Sequence, residues 1–282
     1  MKTDFPLSPK ARKSGTGWID ICPAHDDRLP SLSISCGADG KLLLHCFAGC
    51  SFEEIISAAG LSSSSACRSA TSADLDEIKR QQQQEEVRKL DYCRTLWKQG
   101  QPIEGTLSQA YLASRGIDQW SVSQRHHPSL MHAQYGEAMP ALLTVVQRSG
   151  HLVGLHRTYL NADATKRDKL MLGKCKGGAA HLIGQTGPLI VAEGIETALS
   201  LPSLHKSDNG RYWSALSASG MKSLELPANP DQLILAADGD TAGLSAAQDL
   251  GERAARRGWE VILMQAPEGN DWNDILMEQQ NA

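Results

Sequence analysis

Short apolar runs alternate with segments of helical period through the second half of the chain. LIVA (189–192), SALSAS (214–219), LILAAD (233–238) and WEVILMQ (259–265) have strand length. Helical patterns over 195–201 and 242–257 lie among them. This alternation predicts a parallel sheet with crossover helices. Further upstream, MPALLTVV (139–146) and HLVGLHRTYL (151–160) flank Gly150 and predict a hairpin. SQAYLASRGI (108–117) predicts a helix stopped by Gly116, after a break at QPIEG (101–105). Residues 73–99 form a charged helical stretch with a partial apolar face, and its run Gln81 to Gln84 reads as solvated surface. LSSSSACRSATS (61–72) is small, polar and linker-like.

The first sixty residues have a different pattern. SLSIS (31–35) and KLLLH (41–45) are strand-like around the turn CGADG. SFEEIISAAG (51–60) predicts a short helix, with Ser51 as N-cap, Glu54 three residues on and Gly60 as stop. The expected organisation is a module over 1–60, a linker and connecting helix over 61–106, a strand-containing subdomain over 107–184, and an α/β domain over 185–282.

Composition narrows the class. A hydrophobic content of 41% in 282 residues supports real cores. No apolar run reaches the ~18 residues of a membrane span, and MKTDFPLSPKARKSG lacks the apolar region of a signal peptide. The seven cysteines are unevenly spaced, which favours metal ligands and free thiols in a reducing cytoplasm over disulfides. A formal net charge of -4 argues against a generally basic coat, so nucleic-acid contact would need local patches.

Two acidic signatures carry the chemistry. PLIVAEGIETAL places Glu193-Gly194 at the end of an apolar run, and QLILAADGDTAGLSAA does the same with Asp238-Gly239-Asp240. Ligands bind at the carboxyl ends of strands in open α/β sheets. Three acids there suit a divalent, oxygen-seeking cation held against phosphate. The glycine between Asp238 and Asp240 would let both carboxylates turn to one ion. The sequence leaves open whether Glu193 ligates metal or relays a proton. Asp271-Trp272-Asn273-Asp274 adds a third acidic cluster, either a helix cap or a further ligand set, with Asp271 favoured as ligand.

Cys22-Pro-Ala-His25 and Cys46-Phe-Ala-Gly-Cys50 form two ligand pairs separated by 20 residues. That is the layout of a zinc ribbon with four protein ligands and hence a structural ion. Cys36 and His45 are rival ligands that geometry disfavours, and Cys67, Cys93 and Cys175 read as plain thiols. Between 148 and 176, Arg148, Arg157, Lys166, Arg167, Lys169, Lys174 and Lys176 outnumber Asp163 and Asp168, seven positive minus two negative. The Gly-rich loop carrying Lys174 and Lys176 would suit phosphate or template. His126, His127 and His132 read as surface or core histidines in a loop. No nucleophile elbow and no P-loop occur in the sequence.

CPAHDDRLPSLSI followed by LHCFAGCSFEEII resembles the zinc-binding domain of bacterial and phage primases. EGIETAL with AADGD is similar to the Toprim domain that these primases share with topoisomerases and some nucleases. YLASRGI, GLHRTYL and KLMLGKCKGGAAHLIG resemble the catalytic core of zinc-ribbon/Toprim primases of phages and mobile elements. The resemblance covers nearly the whole chain and is weakest over 61–106. It implies a Rossmann-like Toprim sheet beside a strand-containing primase subdomain, with a small β-type zinc ribbon. It implies a nucleotidyltransferase making RNA primers on single-stranded DNA from ribonucleoside triphosphates. Glu193, Asp238 and Asp240 would hold Mg or Mn, joined by Asp271. Arg157, Lys174 and Lys176 would bind nucleotide or nucleic acid, and Cys22, His25, Cys46 and Cys50 would hold Zn. Nothing resembling a helicase follows, so a separate replicative helicase is the expected partner. A Toprim nuclease or topoisomerase-like enzyme and a non-catalytic replication accessory protein are the alternatives. A topoisomerase would need a catalytic tyrosine on a DNA-gripping domain, and no such domain surrounds the five tyrosines.

Overall fold

The computed structural model describes residues 5–14, 17–27, 29–36, 41–61, 67–69, 72–205 and 209–281. They fall into two compact units, residues 1–88 and 89–282.

In the first unit, β1 (Arg12–Ser14), β2 (Gly17–Asp20), β3 (Leu32–Cys36) and β4 (Leu42–Cys46) pair antiparallel in sequence order. The helix α1 (Phe52–Ala58) follows, and β5 (Cys67–Ser69) adds parallel to β4. β3 and β4 lie where the apolar runs predict them. β1 is Arg-Lys-Ser and fully exposed, so it carries no apolar period to read. The turn CGADG has its residues 37–40 outside the described residues. Most of the segment read as a linker, 61–72, also lies outside them, and its described part contains β5. α1 begins with a reciprocal cap: the Ser51 hydroxyl accepts the Glu54 N–H, and the Glu54 carboxylate accepts the Ser51 N–H at 2.7 Å. Such a cap contributes about 1 kcal/mol. α1 buries Ile55 and Ile56 against Phe5, Leu32, Ile34 and Leu44, a small core that also contains Cys22 and Cys46.

The long helix α2 (Ser72–Gln99) runs from the first unit into the second. After α3 (Leu107–Ser114), four strands form an antiparallel meander: β6 (Gln124–Met131), β7 (Ala138–Arg148), β8 (His151–Leu160) and β9 (Lys166–Gly173). β7 and β8 are the expected hairpin. β6 and β9 replace what the sequence reads as loops, because a strand with only one apolar face can carry many polar residues. Residues 141, 143, 155 and 159 pack with Leu130 and with Cys93 and Leu96 of α2. The opposite face carries Leu142 and Val146, which join a second core with Ala192 and Ile195. Cross-strand register also places Gln124, Thr144 and His156 in one buried polar row on that face.

The rest of the unit is a second sheet. Its elements are β10 (Ala180–Ile183), β11 (Leu189–Ala192), α4 (Ile195–His205), β12 (Arg211–Ser214), α5 (Ala218–Ser223), β13 (Gln232–Ala237), α6 (Thr241–Ala255), β14 (Glu260–Gln265) and α7 (Trp272–Asn281). The strand order is β10-β12-β11-β13-β14, parallel except for the antiparallel edge strand β10. β11 and β13 read as unbroken apolar runs because both of their faces are covered. Leu189, Val191, Leu233 and Leu235 pack under α6, while Ile190, Ala192 and Ala236 face the other core. One expected strand is displaced: SALSAS is not a strand, and Arg211–Ser214 takes its place. Leu216 at φ 72° ends the extended run, and the Ser217 side chain then caps α5.

Candidate active site

The sheet brings the acids to one edge. Glu193 follows β11, Asp238 follows β13, and the loop after β14 delivers Asp271, so the three leave the carboxyl ends of neighbouring parallel strands. Gly239 is what allows this. A Cβ there would lie 1.9 Å from the Pro267 carbonyl oxygen. The Gly239 N–H donates to Asn270 O at 2.9 Å and Gly239 O accepts from Gly269 N at 3.2 Å, strapping the β14 loop across the Asp238 turn. The glycine thus serves the close approach of two backbones, rather than the freedom of the flanking carboxylates.

Asp238 is the strained member. Its Oδ1 is buried without a hydrogen-bond partner among the described residues. Burial, followed by the charges of Glu193, Asp271, Asp240 and Asp274, pushes its carboxyl up to about 7. Asp240 is exposed and caps α6, its Oδ1 accepting the Gly243 N–H at 2.6 Å. Asp271 caps α7, its Oδ1 accepting from the N–H groups of Asn273 and Asp274 at 2.8 and 2.9 Å. Both acids therefore have a structural task as well as a place at the edge. The carboxylates crowd electrostatically but do not converge: among the described residues only the Cys/His quartet brings ligand atoms within 4.8 Å of one another. An uncompensated, partly desolvated carboxylate among like charges fits a divalent cation, which would lower its proton affinity.

The quartet is Cys22, His25, Cys46 and Cys50. His25 Nδ1 lies 3.1 Å from Cys50 Sγ and 4.0 Å from Cys46 Sγ. Its Nε2 faces Asp27 at 3.7 Å, and Asp27 also accepts the Cys22 N–H at 2.7 Å and the Ser31 hydroxyl at 2.6 Å. A carboxylate behind the imidazole fixes its tautomer and presents Nδ1 to the thiols. Burial pushes Cys22 up to about 12, whereas Cys46, despite its own burial, is held at about 7 by the Cys50 N–H and the Ser31 hydroxyl. Three sulfurs and one nitrogen fit Zn²⁺ with no open position. His45 stands outside the quartet, edge-on to Phe47. The Cys36 and Cys67 side chains lie outside the described residues, and Cys93 and Cys175 are buried free thiols.

The basic residues separate. Arg157 does not face the acids: it lies on the α2 side of the meander, 8% exposed, donating to the Tyr159 hydroxyl at 3.1 Å and Met171 O at 3.1 Å. Strand alternation decides this, since Arg157 shares a face with Leu155 and Tyr159. Lys174 and Lys176 are exposed on the turn between β9 and β10, where Gly173 and Gly177 take φ of 96° and 80°. That turn leads to Ala180, which pairs with Ser214 at the carboxyl end of β12. His126 is buried in β6 and contacts the Ser108 hydroxyl at 2.8 Å, and His132 pairs with Asp168 at 2.9 Å.

Some residues emerge only in three dimensions. Glu196, on the first turn of α4, accepts a short hydrogen bond from the Tyr111 hydroxyl of α3 and lies 3.7 Å from Lys166 Nζ of β9. Tyr111 in turn feels the charges of both Glu196 and Asp271, so this cluster adjoins the acid edge. Asn273 is fully buried, and its Nδ2 donates to Arg115 O at 2.7 Å and Ser200 Oγ at 2.9 Å, bracing α7 against α3 and α4. Spacing could have flagged Glu196, which lies one helical turn from Glu193; nothing local marks Tyr111.

Comparison with known proteins places these features in a class. Residues 188–282 match the Toprim domain family. Residues 87–182 match a family described as a domain of unknown function (DUF7146). The chain therefore joins a Cys/His zinc-binding ribbon to a Toprim domain. No curated protein matches the sequence. Among solved structures, it is similar to the zinc-binding and RNA polymerase domains of the Aquifex aeolicus primase, at 16% identity and TM-score 0.42, over 95% of this chain and 77% of that one. It is similar to the primase fragment of the bacteriophage T7 primase-helicase protein, at 16% identity and TM-score 0.38, over 51% of this chain and 60% of that one. The RNA polymerase domain of the Mycobacterium tuberculosis primase DnaG matches at 14% identity and TM-score 0.39, over 68% of this chain and 78% of that one.

Proposed function

We propose that the chain is a DNA primase, a nucleotidyltransferase that makes short RNA primers on single-stranded DNA from ribonucleoside triphosphates. The observation that carries this reading is Asp238, a desolvated carboxylate without a partner, set among further acids at the strand ends of a Toprim domain. Glu193, Asp238, Asp240 and Asp271 would hold Mg²⁺ or Mn²⁺, which when bound activates a 3′-hydroxyl and neutralises charge on the triphosphate. The protein's own contribution is placement. The Gly239 strap sets Asp238 beside the Asp271 loop, and the cap bonds of Asp240 and Asp271 fix their backbones. Lys174 and Lys176 offer ammonium groups to phosphate on the β12 flank.

The first unit would engage the template. A cavity of about 540 Å³ there is lined by Trp18, Ile34, His45 and Phe47 with Lys79 and Arg88, and Phe47 is 67% exposed. Aromatic faces beside cations suit unstacked bases and their phosphates. The zinc quartet would hold this sheet together, and a separate replicative helicase would supply single-stranded template. The test is to incubate the protein with single-stranded DNA, ribonucleoside triphosphates and Mg²⁺ and to resolve the products. New oligoribonucleotides support the reading. Cleaved DNA would favour the nuclease alternative, and binding without chemistry would favour an accessory protein; either overturns it.

A further inference from the structure

A cation at the acid edge, well away from the glycine-rich loop, has the geometry of a phosphate ligand. Lys166 opens β9 opposite Leu160, at the tip of the β8–β9 hairpin. This tip is anchored: Leu160 and Ala164 are buried in the same core as Ala192 and Ile195, the residues flanking Glu193. Within the turn, Asp163 accepts the Thr165 N–H at 3.0 Å and the Thr165 hydroxyl at 2.6 Å, and Asn161 N–H donates to Thr165 O at 2.8 Å. The Lys166 side chain is 46% exposed and its Nζ sits 3.7 Å from Glu196 Oε1. That separation is attractive but longer than a hydrogen bond. The same Oε1 already accepts the Tyr111 hydroxyl. Glu196 is 17% exposed on its side chain, so it is well enclosed and cannot follow the lysine outward. The ammonium is therefore steered by Glu196 without being tied to it, and keeps its donors for another anion. By contrast, Lys174 lies eight residues further along, about 25 Å at strand rise, so the two basic sites are distinct.

We propose that Lys166 binds the phosphate chain of an incoming nucleoside triphosphate, and that Glu196 acts as the positioning residue that aims it. The inference rests on the reading of the acid edge as a nucleotide site and names one of its ligands. A lysine provides a point charge with three donors for phosphate. Tyr111 fixes Glu196 from the opposite side, so the lysine's resting place is set by three elements, α3, α4 and β9.

The experiment is equilibrium binding of a fluorescent ATP analogue to the full chain in excess Mg²⁺, with inorganic tripolyphosphate as competitor. Lys166→Ala should weaken both the analogue and the competitor about tenfold, the loss of one charge-assisted contact. Lys166→Arg should recover most of that loss, and Glu196→Gln should give an intermediate one. Melting temperatures within a degree or two of wild type would accompany these shifts. Unchanged binding by Lys166→Ala, beside a wild type that binds, overturns the assignment while leaving the nucleotide site intact. Loss of binding together with a large drop in melting temperature, unrelieved by arginine, would make the pair a brace and also overturn it. A wild type that binds no Mg–ATP would remove the nucleotide reading itself.

Discussion

Replacing Asp238 with asparagine should stabilise the metal-free protein while disabling its chemistry. The native carboxyl keeps its proton up to about pH 7, whereas the unfolded one releases it near 3.8. Between those values the native state binds more protons, so wild-type stability falls as pH rises from about 4 to about 7 and stays low above it. A shift of about three units corresponds to about 4 kcal/mol. This is a ceiling, because solvent and salt weaken the repulsion from the outer carboxylates. A gain of about 1–2 kcal/mol is expected for Asp238→Asn at pH 8, or about 2–8 °C for a unit of this size. The assay is thermal unfolding of both proteins from pH 5 to 8.5 in magnesium-free buffer, without a chelator that would strip zinc. The two curves should converge towards pH 5. Adding Mg²⁺ at about ten times its dissociation constant should then raise wild type by about 1.4 kcal/mol and leave the variant unmoved. An asparagine variant less stable than wild type at pH 8, or equally stabilised by Mg²⁺, would refute the reasoning.

The other predictions concern separate parts of the molecule. Metal analysis should find one zinc per chain; Cys46→Ser should abolish it and expose the first unit to proteolysis, whereas Cys93→Ser, far from the quartet, should retain it. Asn273→Ala should destabilise the second unit by about 2–3 kcal/mol through two lost buried hydrogen bonds, read by denaturant unfolding, with zinc content unchanged. A fragment covering residues 89–282, one compact unit, should bind Mg–ATP but lose most de novo initiation on single-stranded DNA, measured apart from extension of a supplied primer.

Much of the site was legible because it depends on local pattern. Apolar runs covered on both faces announced β11 and β13, and the acids that end them fall at the sheet's carboxyl edge. The paired spacing of Cys22, His25, Cys46 and Cys50 announced the quartet that the fold assembles. What stayed hidden depends on long-range pairing. Arg157 looked like one more member of a basic patch, and only register with Leu143 and Leu170 turns it inward. β6 and β9 were read as loops because each carries charge or histidine over much of its length. The bond between Tyr111 and Glu196 joins residues 85 apart, beyond any periodicity. Gly239 was recognised as necessary, but its reason, the Pro267 carbonyl beneath it, belongs to a strand not yet placed.

The central claim is that Asp238 and its neighbours join nucleotides. Its most direct measurement is dinucleotide formation from two ribonucleoside triphosphates on a single-stranded DNA template, followed as Mg²⁺ is titrated, for wild type beside Asp238→Asn. The account predicts a metal-dependent dinucleotide from wild type and a loss of at least about a hundredfold in the variant, the scale of removing one transition-state charge stabiliser. Equal product from the two proteins at ordinary Mg²⁺ concentrations would contradict it.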